Sequence, residues 1–550
     1  MIPSGLTPEQ IESLSRFDPW CWAYFNQMVL FGGPYQHIGH EFQIPIWRCM
    51  SQRQCAKKSP QMGGFTEMAV CKACHGLING RFKQGALFLF PTSDEVSDFS
   101  KSRFKTFIRN NPDTVGKYVR DTDSSEVKRV GDGMLFFRGA RMTRDVEGAQ
   151  KTSSKLKSLP VDLLVGDEID EMDEGALELA RGRLDHSTVQ EEFYLANATV
   201  PNYGIDRMYQ HSDQRIWMIE CPKCGRENCL ELQFPDCLQR TGGGASGPGL
   251  TINSNRAGRV YRACKKCSAK LNPSEGYWIA RYPDLSEEMV GWWISHLNSF
   301  FTRPETILKE WEDPDVDRVR FYNRRLAMAH IDSENKLERN DVYLCCGQDA
   351  MAGFSPGPCA MGVDVGAKLH VLIGLRVSDI GIKIIKAIRV DSFEDIWDLA
   401  QGYKVSSIVF DMHPELHKVR EYCAKAPYSS FGCVYSEQQV GVAAWNETSN
   451  VVTVNRTELC DTTHRIVTTP GRLELPRKDA EVKRMAIECC NTAKIYKEDP
   501  KTGIKKAFYI KLGADHYRHA LNYLALAVSR IKSVDKTGAV TQQPVDYYYG

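Results

Sequence analysis

Read for the spacing of its apolar positions, the chain falls into two stretches of similar kind. In the first, short uninterrupted apolar runs, Ala86-Leu-Phe-Leu-Phe90 and Leu163-Leu-Val165, alternate with segments of helical period over 94–109 and 171–184. Apolar runs without polar alternation suit strands covered on both faces, so the pattern predicts a parallel α/β sheet. A second α/β pattern begins after residue 345. It has strands predicted at 361–366, 369–377, 382–390 and 406–411, and helices at 393–401, 415–425, 479–494 and 516–530. The intervening 286–345, with Trp292-Trp293 and the charged run 303–325, reads as a helical connection.

A length of 550 residues leaves room for about three domains of ~150–200 residues each. With 42% apolar and 25% charged residues the composition is ordinary for a globular protein and excludes a disordered or fibrous chain. Lys and Arg number 70 against 69 Asp and Glu, so a uniformly basic coat for nucleic acid is excluded and any such partner must be met by local sites. The opening MIPSGLTPEQIESLSRF has no basic segment followed by an apolar one, and no run approaches the ~18 apolar residues of a membrane span. The expectation is a soluble, unexported protein with no membrane partner. Nineteen cysteines then predict reduced thiols or metal ligands rather than a disulfide framework.

The stretch Lys57-Lys58-Ser59-Pro60-Gln61-Met62-Gly63-Gly64-Phe65-Thr66 can be laid over G-x-x-x-x-G-K-[ST], with Ser59 at its first position and Phe65 where lysine belongs. A phosphate cradle needs small residues so that backbone N–H groups converge, a cation on the β/γ oxygens, and a hydroxyl on Mg²⁺. Gly63, Gly64 and Thr66 meet the first and last needs, and Lys57 or Lys58 supplies the cation from the loop's other end. About a hundred residues on, Leu163-Leu-Val-Gly-Asp167-Glu168 is an apolar strand ending in two carboxylates, as in a Walker B strand. Asp167 would hold Mg²⁺ through water and Glu168 would polarise the attacking water. Leu195-Ala-Asn-Ala-Thr-Val-Pro201 reads as a further strand ending in small polar residues suited to sensing the γ-phosphate.

Cys221-Pro-Lys-Cys224 and Cys264-Lys-Lys-Cys267 form a C-x₂-C…C-x₂-C arrangement that can bring four thiolates to tetrahedral Zn²⁺. Glycine-rich Thr241–Gly249 lies between them as a finger tip would, and Cys229 and Cys237 are alternative ligands outside the knuckles. Such a site is closed and structural, and Lys223, Arg226, Lys265 and Lys266 around it could touch phosphates.

In the C-terminal half, Asp364 sits inside the apolar run Met361-Gly-Val-Asp364-Val-Gly366, a costly place for a charge unless it is paired or holds a metal. Asp411 ends the run Val409-Phe-Asp411, and Asp515 opens the amphipathic segment Asp515-His516-Tyr-Arg-His519. Converging, the three would hold two Mg²⁺ or Mn²⁺ ions for in-line phosphodiester hydrolysis. His516 is a possible supporting group, and Asp461 a weaker fourth carboxylate.

As a set, Lys58-Ser-Pro-Gln-Met-Gly-Gly-Phe-Thr66, Phe90-Pro-Thr92, Val165-Gly-Asp-Glu168, the cysteine pairs, Gly362-Val-Asp-Val-Gly366 and Asp515-His-Tyr-Arg-His-Ala520 resemble the large subunits of tailed-bacteriophage terminases of the phage lambda type. The resemblance spans roughly residues 35–530. It implies an α/β chain with an N-terminal P-loop ATPase over 1–210, a zinc-ribbon insertion over 211–285, the helical connection over 286–345 and an RNase H-like nuclease over 346–550. The implied activity is ATP-driven translocation of double-stranded DNA into procapsids, with cutting of concatemeric DNA, in the cytoplasm of an infected bacterium. The implied partners are the terminase small subunit, the portal protein and further copies of the chain in a ring.

A P-loop lysine displaced to the start of the loop is a feature of terminases, which favours Lys58 over Lys57. The resemblance also marks His40-Glu-Phe-Gln43 as adenine-reading and places Thr199 in the segment that couples hydrolysis to DNA movement. It maps Asp364, Asp411 and Asp515 to the nuclease metals. Arg53, Arg138 and Arg144 are the candidate arginine fingers, unless a neighbouring subunit supplies one. The competing readings are a helicase-nuclease of DNA repair and a non-catalytic zinc-ribbon module that binds nucleic acid.

Overall fold

The computed structural model describes residues 6–30, 33–120, 124–140, 143–144, 150–151, 159–241, 259–331, 335–355, 357–378, 381–498 and 505–531. The glycine-rich stretch after Thr241 lies outside these residues. Two compact units divide the chain, Met1–His330 and Ile331–Gly550.

The first unit is built on an eleven-stranded sheet. Its parallel portion runs in the spatial order Arg215–Glu220, Val290–Ile294, Arg53–Lys58, Glu191–Ala196, Leu163–Asp167, Ala86–Phe90, Gly133–Gly139. Ala86–Phe90 and Leu163–Asp167 are buried along their whole length, which is why they contain no polar alternation. Helices cover the sheet, and the one that follows the phosphate loop, Phe65–Ile78, is buried on nearly all sides. The region 94–109 is helical but changes pitch, with a π-helical stretch Phe99–Phe104 between the α-helices Ser93–Asp98 and Lys105–Asn110.

Arg53-Gln-Cys-Ala-Lys-Lys58 is the strand that enters the phosphate loop, although its composition is hardly apolar. It is buried because each charge has a local answer. Lys57 Nζ lies 3.2 Å from Asp206 and 4.2 and 4.3 Å from the ring centroids of Tyr209 and Trp293. Arg53 lies 3.5 Å from Glu192 on the next strand.

The structure corrects the expected helical connection over 286–345. Val290-Gly-Trp-Trp-Ile294 is a fully buried strand paired with Arg53–Lys58, and only beyond it do helices Pro304–Glu312 and Arg318–Leu326 follow. The charged run hid a short β-branched and aromatic segment ahead of it. Residues 211–285 are likewise not a detached insertion, since Arg215–Glu220 and Gly276–Ala280 pair within the main sheet.

The second unit has an eight-stranded mixed sheet in the order Ala444–Asn446, Val451–Val454, Ser429–Tyr435, Val405–Asp411, Cys359–Asp364, Leu369–Arg376, Ile382–Val390, Leu473–Glu474. Cys359–Asp364 runs antiparallel to Leu369–Arg376 and parallel to Val405–Asp411. Helix His516–Ser529 packs directly on Cys359–Asp364. A side chain at Gly362 would come within 2.2 Å of Leu524 N and 2.3 Å of Ala520 O, so only glycine admits so close an approach. No helix among the described residues is long and apolar enough to cross a membrane.

Candidate active sites

In the first unit the phosphate loop is held in a left-handed turn. Gln61, Gly63 and Gly64 have φ of 54°, 76° and 67°. At Gly63 a Cβ would lie 2.4 Å from the His40 ring. Successive residues of this kind turn backbone N–H groups toward one point, at the start of helix Phe65–Ile78 whose dipole favours an anion there.

Thr66, in the first turn of that helix, donates its hydroxyl to Asp167 Oδ2 at 2.7 Å. Asp167 is 5% exposed, and its Oδ1 has no hydrogen-bond partner. A buried carboxylate oxygen left unpaired beside a hydroxyl fits the demand of a Mg²⁺ ion for hard oxygen ligands. Burial raises the Asp167 pKa, and the nearby Lys58 ammonium opposes it.

Consecutive strand residues point to opposite faces, and this separates the two lysines. Lys58 Nζ lies 3.2 Å from Glu168 Oε1, in the site. Burial works against its charge, but Glu168 and Asp167 overcome burial, so its pKa is raised. Lys57 faces Asp206 on the other side, and there burial wins and lowers its pKa. Glu168, with φ 58°, turns out of the strand end and keeps a side chain 43% exposed.

Three expected nucleotide contacts are engaged elsewhere. The Ser59 hydroxyl donates to Arg325 O at 3.1 Å and accepts from His296 N at 3.3 Å, tying the loop to the following segment. Gln43 is buried, and its Nε2 donates to Gly63 O at 2.7 Å and Met62 O at 3.2 Å, so its amide nitrogen braces the loop rather than facing a base. Thr199 donates its N–H and hydroxyl to Asp170 Oδ2 at 3.0 and 2.6 Å, and Ile205 N donates to the other oxygen at 2.7 Å. Burial raises the Asp170 pKa to about 7.

Sequence reasoning passed over Asp170, one of six acids between Asp167 and Glu174. It also passed over Arg103, which pairs with Glu67 in the loop helix and whose charge reaches Lys58 and Asp167. No sequence signal distinguishes Arg103 from its neighbours. Of the proposed fingers, Arg53 is paired with Glu192 and Arg138 with Glu126, while the Arg144 side chain lies outside the description.

Cys221, Cys224, Cys264 and Cys267 bring their sulfurs within 4.8 Å of one another. Both knuckles close alike: Gly225 N donates to Cys221 O and Ser268 N to Cys264 O, each at 2.9 Å. Burial opposes thiolate formation at Cys264, but backbone N–H groups of Cys267 and Lys266 outweigh it and lower its pKa to about 6. Together the four sulfurs can hold Zn²⁺ as thiolates. Cys229 and Cys237 turn away, their Sγ atoms on Glu231 and Leu230 O.

In the second unit Val363 pairs with Phe410, which sets Asp364 and Asp411 at neighbouring strand ends. Burial and the field of Asp364 raise the Asp411 pKa to about 7. Asp515 is buried at the start of helix His516–Ser529. Burial would raise its pKa, but His519 and Lys511, at 3.3 and 2.9 Å, bring it down to about 2. Its carboxylate is thus already shared between an ammonium and an imidazole, unlike the open ligand expected.

The compact donor set is Asp364 with His370 and His516, one donor atom from each lying within 4.8 Å of the others. His516 Nδ1 is 2.8 Å from Asp364 Oδ2. His370 went unnoticed because its partner is fixed by antiparallel register, directly opposite Asp364. Asp461 is bound to Lys494 at 2.7 Å and lies outside this set.

Residues 33–280 match the family model described as phage terminase large subunit gpA, ATPase domain. No curated protein sequence matches. Among solved structures, the chain is similar to the HK97 bacteriophage large terminase with 11% identity and a TM-score of 0.51, over 93% of this chain and 99% of that one. A large terminase from a thermophilic bacteriophage gives 8% identity, 86% and 93% coverage, and a TM-score of 0.29. The ATPase domain of the Thermus phage P74-26 large terminase gives 12% identity, 55% and 96% coverage, and a TM-score of 0.31. The HK97 likeness bears on the fold alone, and the two weaker ones carry no weight.

Proposed function

We propose that this chain, which carries the gpA-type ATPase domain of the phage terminase large subunits over residues 33–280, is such a subunit: it moves double-stranded DNA into procapsids with ATP and cuts the DNA concatemer. The observation that carries the motor reading is the meeting of loop and acidic strand: Thr66 on Asp167 at 2.7 Å and Lys58 on Glu168 at 3.2 Å.

In this reading the N–H groups of the Gly63-Gly64 turn and the Lys58 ammonium would take the β/γ-phosphate oxygens, and Thr66 and Asp167 would hold Mg²⁺, which would supply charge neutralisation at the phosphates. Lys58 leaves Glu168 for the phosphate. That frees the Glu168 carboxylate to orient water in line with the γ-phosphorus. The thread from Glu168 through Asp170 to Thr199 is where hydrolysis would reach the DNA-moving segment. Contacts to DNA would fall on phosphates, because translocation along arbitrary sequence cannot depend on base edges.

The strand ends carrying Asp364 and Asp411, with Asp515 from the start of the helix packed on the first of them, would form the nuclease centre of an RNase H-like unit using Mg²⁺ or Mn²⁺. Zn²⁺ on the four cysteines would be structural. Work in a ring of copies, with small subunit and portal, in the infected host's cytoplasm completes the reading. DNA-stimulated ATP hydrolysis and procapsid filling test it: Lys58→Ala and Glu168→Gln should abolish both, and wild-type turnover in the two variants would overturn the motor assignment.

A further inference from the structure

The stacked imidazoles beside Asp364 have no part in the reading above. The rings of His370 and His516 lie nearly parallel, 15° apart, with centroids separated by 4.6 Å. One comes from strand Leu369–Arg376 and the other from the first turn of helix His516–Ser529, so two independent elements deliver them to one carboxylate. His370 Nδ1 faces Lys368 O at 3.3 Å, which orients the ring and leaves Nε2 as its other ligand atom. That nitrogen is 3.8 Å from Glu488 Oε2, and Glu488 itself accepts from Tyr517 N at 3.1 Å.

An ion pair accounts for His516 on Asp364 alone, whereas His370, buried and stacked on the same ring, brings a second imidazole to that carboxylate. The separation of 2.8 Å between His516 Nδ1 and Asp364 Oδ2 is close to the ~3 Å edge between donors that each sit about 2.0–2.2 Å from one ion. Imidazole-containing sets favour later first-row ions, whereas Mg²⁺ prefers oxygen ligands and water.

We propose that Asp364, His370 and His516 form a binding site for one first-row transition-metal dication, in preference to Mg²⁺. The inference deepens the nuclease reading and rests on it only for the claim that this ion serves cleavage.

The test uses the full chain with its cysteine site first filled by one equivalent of Zn²⁺. Mn²⁺ is then titrated calorimetrically, with and without Mg²⁺, and the bound ion is observed by pulsed electron paramagnetic resonance. One further Mn²⁺ is expected, with ¹⁴N couplings from two imidazoles and no displacement by equimolar Mg²⁺. His370→Gln and His516→Gln should each weaken binding by on the order of tenfold or more, while Asp461→Asn leaves it unchanged. Bound Mn²⁺ without nitrogen coupling, or displaced by equimolar Mg²⁺, overturns the proposal, and the wild-type spectrum decides this even should a variant fail to fold. Nitrogen-coupled Mn²⁺ in a chain that cuts DNA with no metal supports the site and overturns the nuclease reading instead.

Discussion

Thr66 and Asp167 stand 101 positions apart in the chain, yet the hydroxyl of one donates to the carboxylate of the other at 2.7 Å. The contact brings the loop helix to the end of the acidic strand, where a hydroxyl and an unpaired carboxylate oxygen converge. Thr66→Val keeps the shape and removes the oxygen, and ATP turnover should fall on the order of 10²-fold. Thr66→Ser should retain most of it, with steady-state phosphate release as the measurement.

Lys57 and Lys58 should separate stability from activity. Lys57→Met strands the buried Asp206, and the expected loss is about 3–5 kcal/mol in urea unfolding. Adding Asp206→Leu should recover part of that loss. Lys58→Met frees Glu168, which is 43% exposed and can be hydrated, but removes the cation that offsets the burial of Asp167, so some stability should go with it, and its distinguishing effect should be the loss of ATP turnover.

Asp170 carries a pH signature. Its pKa rises through burial from 3.8 to about 7 on folding, so between these values the folded chain holds a proton that the unfolded chain has released. Stability from this group is full below about pH 4 and is lost as the pH rises through about 7, at up to about 1.4 kcal/mol per pH unit. In chemical unfolding across pH 4–8, Asp170→Asn should flatten that fall. An unchanged slope would contradict the assignment.

The cysteine set predicts one zinc per chain by elemental analysis. Cys264→Ser should empty the site and lower the thermal midpoint, because the two knuckles would lose the ion that joins them. Cys229→Ser should leave the zinc in place, since the Cys229 thiol is turned toward Glu231.

Asp364→Asn should stop metal-dependent DNA cutting and spare ATP hydrolysis. The drop in nicking of a supercoiled plasmid is expected to be on the order of 10²-fold or more, with DNA-stimulated phosphate release unchanged.

The chemistry legible in the chain was that written in short-range spacing. Two C-x₂-C pairs, a glycine turn ahead of a helix, and an apolar run ending in Asp167-Glu168 each have a local physical reason. The strands at Cys359–Asp364 and Val405–Asp411 were equally plain because their buried stretches hold the uninterrupted apolar runs Cys359–Val363 and Ile408–Phe410. Val290–Ile294 was missed because a charged helical run follows it, and the polar Arg53–Lys58 looked unlike a strand because its compensating partners, Asp206 and Glu192, are remote in the chain.

What the order of residues settled alone is therefore which groups are present and which local turns carry them, since backbone preference and side-chain period act over a few positions. Folding decided the pairings. Strand alternation aimed Lys58 into the site and Lys57 away from it, and antiparallel register set His370 against Asp364. Packing committed Ser59, Gln43 and Thr199 to structural hydrogen bonds, and Lys511 and His519 claimed Asp515. These outcomes depend on which elements lie side by side. A hydrogen bond or ion pair forms only within a few ångströms, a distance that only the tertiary structure sets.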